Sequence, residues 1–125
     1  MIKDAIYPVD IDFEYKLWKN RLSYYQNELL ILQHRLKELL DEHPELLETT
    51  QRFNKLIDTF ISREIHLQNL IKVQEESIDY YLKDYPISPL HEHFREHEKI
   101  KENIEQLDAE YAIFFDEFIE NFNRY

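Results

Sequence analysis

Apolar residues recur along this chain in alternating steps of three and four, the spacing that lays one stripe along an α-helix. The clearest stripe reads Leu90, His93, His97, Ile100, Ile104, Leu107, Tyr111, Phe114 and Phe118, with Phe122 and Tyr125 following. An earlier one reads Ile11, Tyr15, Trp18, Leu22, Tyr25, Leu29, Leu32, Leu36 and Leu39. Between them Phe53, Ile57, Phe60, Glu64, Leu67, Ile71, Gln74, Ile78 and Tyr81 form a third, more polar stripe. Three long helices are expected, over about residues 10–42, 44–84 and 89–125.

The breakers between the stripes agree with those limits. Pro44 ends the first helix and opens the second, since the residue before a proline avoids the helical region and proline is welcome at a first helical position. Thr49 and Thr50 offer a fresh cap just beyond it. Asp84 to Pro89 is the other breaker cluster, with Ser88 as N-cap and Pro89 as first residue of the third helix. Met1 to Val9 reads as a short N-terminal arm, after which Asp10 or Asp12 caps the first helix. Short turns force neighbouring helices to run in opposite directions, so the expected fold is all-α: an antiparallel up-down three-helix bundle with coiled-coil-like seams, one domain over residues 1–125. With tight turns, residues at one height on the first two helices have numbers totalling about 87, and on the last two about 173.

Composition narrows the function classes more than it selects one. The chain has no glycine, which removes phosphate-cradling loops and tight hairpin turns, and no cysteine, which removes disulfides, thiol nucleophiles and thiolate metal sites. Hydrophobic residues make up 43%, enough for a core. The formal charge of −11 argues against nucleic acid and anionic membranes as partners, and for a basic protein or a cation. With no apolar run long enough for a signal peptide or a membrane span, a cytoplasmic location is expected.

Two departures from the stripes are candidate chemistry. His93 and His97 are four apart, the spacing that offers two imidazoles to one metal ion, and by height Glu76, Asp79 and Asp12 are the carboxylates that would complete it. The plainer reading is that the pair is structural, hydrogen-bonded to Tyr80, Tyr81 or a carboxylate at a wetter end of the core. Glu64 and Gln74 occupy seam positions where leucine would be more stabilising, and such polar positions often set register or oligomeric state. Tyr25, Tyr111 and Arg21 stand at the height of Glu64 and are its expected partners.

A second series on the third helix, Ala112, Phe115, Ile119 and Phe122, lies beside its core stripe and is the candidate interface. The same helix carries seven acidic residues and no lysine or arginine between Glu102 and Asn123. That is a solvated face or a dock for a basic partner. No catalytic motif stands out and no cofactor is expected. The sequence therefore reads as an acidic, self-associating interaction or adaptor protein rather than an enzyme, the runner-up being a metal- or small-ligand-binding bundle that uses the histidine end.

Overall fold

The computed structural model describes residues 7–78 and 91–125. It contains three helices, α1 (Pro8–Glu42), α2 (Leu47–Ile78) and α3 (Glu92–Phe122), and no strand among the described residues. Asp79 to Leu90, with the expected Ser88 cap, Pro89 start, Tyr80 and Tyr81, lie outside the described residues, as does Met1 to Ile6.

α1 begins two residues earlier than expected. Tyr7 is the N-cap, extended at φ −97° and ψ 125°, and Pro8 takes the first helical turn with its φ already suited to it. Val9 is thus helical rather than part of an arm. Neither Asp10 nor Asp12 caps: Asp10 falls inside the first turn, where its charge still complements the exposed N–H groups, and Asp12 pairs with Lys16 at 3.1 Å. At the other end His43 leaves the helical region ahead of Pro44, and one 3-10 turn, Pro44–Leu46, carries the chain into α2. Thr50 does not restart the helix. Its buried hydroxyl donates to the carbonyls of Leu46 and Leu47, both at 3.0 Å, so it sits inside the first turns of α2.

α3 begins at Glu92 rather than near residue 89. His91 is extended, and its ring Nδ1 accepts from the His93 N–H at 3.1 Å, so an imidazole takes the capping role expected of Ser88. The helix runs to Phe122, with Asn123 as its C-cap.

The three stripes meet as one core. Tyr15, Leu22, Leu29, Leu36 and Leu39 of α1 are fully buried against Phe53, Ile57 and Ile71 of α2 and Ile104 and Leu107 of α3. Near the α1–α2 turn the core is aromatic: the Phe53 ring lies 5.6 Å from Phe118 and 5.2 Å from Phe122, and Phe60 lies 5.3 Å from Phe114. Each such side chain contributes about 1.5–3 kcal/mol by leaving water. Leu30 and Ile31, which belong by height to this apolar end, are 50% and 67% exposed and take no part in it.

Polar contacts record the path of the chain. Lys19 reaches Glu75 at 2.9 Å and Gln33 reaches Asp58 at 3.0 Å, so numbers fall along α2 as they climb along α1. Those pairs lie farther along α2 than a tight turn allows, because the chain reverses across the 3-10 turn rather than at Pro44. Arg63 meets Glu110 at 2.5 Å, the anticipated height between α2 and α3. Between α1 and α3 the numbers climb together: Glu14 with His97, Arg21 with Asp108, Arg35 with the Tyr125 carbonyl.

Candidate functional site

His93 and His97 are buried, 4% and 1% exposed. The partners come from α1. Tyr15 hydroxyl and His93 Nε2 are hydrogen-bonded at 3.1 Å, and His97 Nε2 lies 3.4 Å from a Glu14 carboxylate oxygen. The His97 ring is enclosed by Trp18, stacked at 4.8 Å between centroids, by Tyr15 at 5.1 Å and by Phe94 at 6.2 Å. Burial holds both imidazoles neutral, His97 down to about 4 with Glu98 working against the shift, and His93 lowered further by its histidine neighbours. Burial likewise raises the Tyr15 phenol. Tyr15→Phe is expected to cost about 1–2 kcal/mol in urea unfolding, the loss of one buried hydrogen bond with the ring packing retained.

Two of the carboxylates expected at the height of these histidines fall among the described residues. Glu76 lies on the exposed face of α2, Asp12 is joined to Lys16, and Asp79 lies outside the described residues. On α1 the two Nε2 atoms meet different partners, Tyr15 and Glu14. Among the described residues no three His, Asp or Glu side chains stand together as a metal site requires. Beside His93 a polar cleft of about 420 Å³ is lined by Val73, Gln74, Ser77, His91, Glu92 and Glu96. The amide oxygen of Gln74, one of the lining residues, is buried with no hydrogen-bond partner among the described residues.

At mid-height lies a layer of polar groups in which every helix takes part. Glu64 of α2 is completely buried, and neither carboxyl oxygen has a hydrogen-bond partner among the described residues. The side chains expected to satisfy it are at its height but spent on others. Tyr25 hydroxyl donates to Asp108 at 2.6 Å, Arg21 donates to the other oxygen of Asp108 at 2.7 Å, and Tyr111 hydroxyl donates to Glu28. The Tyr25 and Tyr111 rings stack at 4.3 Å, their hydroxyls turned outward to those carboxylates. Burial pushes the Glu64 carboxyl from its ordinary 4.5 to about 7, with Arg63 opposing, and burial together with the carboxylate partners raises both phenols.

The α3 interface series splits. Phe122 belongs to the core, 6% exposed and 4.8 Å from the Phe118 ring, because the last turn of α3 leans onto Phe53. Phe115 is half-buried and stacks on Tyr111 at 6.3 Å, whereas Ala112 is exposed and Ile119 is 46% exposed. What the core stripes conceal is a second stripe on α1. Phe13, Leu17, Tyr24 and Ile31 are 62%, 48%, 63% and 67% exposed on the face away from the core. Their spacing, filled by Asn20 and Asn27, repeats the four-three pattern of the inner stripe, and that second series is the signal by which the sequence could have shown it. A shallow apolar groove of about 330 Å³ also runs between α2 and α3, formed chiefly by Leu56, Phe60, Ile113 and Phe114 and crossed at one end by the Arg63–Glu110 pair.

No protein-family model, curated protein or solved structure matches this chain. Among the described residues no helix is long and apolar enough to cross a membrane.

Proposed function

We propose that the protein is an interaction module that works as a self-associated helical bundle, not as a catalyst. The observation that carries this reading is the run of exposed apolar side chains on α1, joined on the neighbouring α3 by Ala112 and Ile119. Single exposed leucines are ordinary, but a helical stripe of them is the mark of a face that another helix covers. The buried imidazoles and Glu64 serve the bundle's interior.

The acidic flank of α3 supports a second partner. Of the seven carboxylates between Glu102 and Asn123, Asp108 and Glu110 are paired with Arg21 and Arg63, and the other five, with no lysine or arginine in the span, attract a basic protein and repel polyanions. Light scattering over a dilution series tests the central reading: the 15.5 kDa chain should show a mass at least twice that of the monomer. Phe115→Glu combined with Ile119→Lys should shift it toward monomer with helicity unchanged. A monomer at every concentration of the unmodified protein overturns the proposal.

A further inference from the structure

Resting on the self-association just proposed, we propose that the second copy packs on the outer stripe of α1 with its own α1, the two helices running in opposite directions. α1 is apolar on two opposed faces. The inner stripe is consumed by α2 and α3, and the outer one, Phe13, Leu17, Tyr24 and Ile31, faces solvent. Asn20 and Asn27 interrupt it at heptad positions, the kind of polar interruption that specifies register between paired helices.

Charge selects both the occupant and its direction. Along the flank of the outer stripe that borders α3 stand Glu14, Arg21, Glu28 and Arg35, seven residues apart and alternating in sign; each also touches α3, or Tyr125 just beyond it, on its inner side, and the Glu14 and Arg21 side chains stay 40% and 44% exposed. A second α1 running the opposite way sets Glu14 against Arg35 and Arg21 against Glu28, and the twofold axis repeats each pair, so the row complements itself. On the other flank the opposed copy sets Lys16 against Lys37, one like-charge pair against those two attractive ones, whereas a copy running the same way brings Lys16 beside Arg21 and forfeits both attractive pairs.

The placement of α3 agrees. Its apolar residues outside the core lie only toward its C-terminal end, and the contacts of Glu28 with Tyr111 and Arg35 with Tyr125 put them level with Ile31 of α1. In the opposed arrangement Leu17 and Asn20 of the second copy arrive within a turn of that level, and Phe13 lies beyond it, near Glu38. One contact then covers both exposed series, and because it is isologous it closes at two copies.

The chain has no cysteine, so introduced thiols report the arrangement directly. In the opposed pairing Leu17 of one copy faces His34 of the other, within the short span a disulfide bridges. Under mild oxidation, Leu17→Cys mixed with His34→Cys should give a cross-linked heterodimer, and Leu17→Cys alone should give none. Light scattering on the unmodified protein separates the two ideas. A monomer overturns self-association and this arrangement together. A dimer in which Leu17→Cys links to itself, or in which the mixture fails to link, overturns the arrangement alone.

Discussion

Replacing Glu64 with leucine should stabilise the protein by about 2–3 kcal/mol at pH 8 and leave it nearly unchanged at pH 4.5. The carboxyl is completely buried, without a hydrogen-bond partner among the described residues, and its pKa is pushed up to about 7 from 4.5. Between those two values the folded chain holds a proton that the unfolded chain has released. Stability therefore falls as pH rises through that window and then stays low, the folded state carrying a buried anion. Tyr25 and Tyr111 do not relieve it, because their hydroxyls already donate to Asp108 and Glu28, and Arg63 only moderates it. Urea unfolding of Glu64→Leu and of the unmodified protein across pH 4.5 to 8 measures the difference. A loss of several kcal/mol at pH 8 would show instead that the carboxylate anchors a satisfied network.

His97 should produce a dependence of opposite sign. Its folded pKa is lowered to about 4 from 6.5, so below pH 6.5 the unfolded chain takes up a proton that the folded chain refuses. Stability is therefore lost as pH falls from 6.5 toward 4, by about 3 kcal/mol in all. The groups facing the ring from α1 are Glu14, Tyr15 and Trp18, of which only Glu14 is charged, and it is solvated on its outer side. His97→Phe keeps an aromatic ring in the enclosure and removes the titration. The expected outcome is a variant whose stability rises on acidification from pH 7 to 5, with Glu64 now opposed only by His93. In the unmodified protein the two groups offset each other, and the profile between pH 5 and 6.5 should be shallow. A His97→Phe profile no different from that of the unmodified protein would remove His97 from this account.

That offset was invisible in the order of residues. Glu64 and His97 were recognisable as polar groups in apolar stripes, so their burial could be read from period alone. Their lack of close satisfaction could not, because it depends on where Tyr25, Tyr111 and Arg21 send their donors. All three stood at the right height, and each had a carboxylate within reach that is closer to solvent. The partners of the histidines were hidden for a related reason: spacing on one helix put two imidazoles on one face, but only docking set Tyr15 beside one and Glu14 beside the other.

By itself the sequence determined three helices, the limit set at His43–Pro44, and nearly every buried position, since a three-four period is a local property that any apolar environment satisfies in the same way. Tertiary structure decided what period leaves equal. α1 carries two stripes on opposed faces, and only the arrival of α2 and α3 chose Ile11 to Leu39 as the inner one and left Phe13, Leu17, Tyr24 and Ile31 outside. Packing also drew Phe122 inward while Ile119 stayed out, because the Phe53 ring lies on one side of α3 and not the other. His91 became a cap because the backbone is extended there and its Nδ1 falls within reach of the His93 N–H. Each of these outcomes is a choice between chemically similar groups, settled by which neighbour stands within about 3 to 6 Å after the helices have docked.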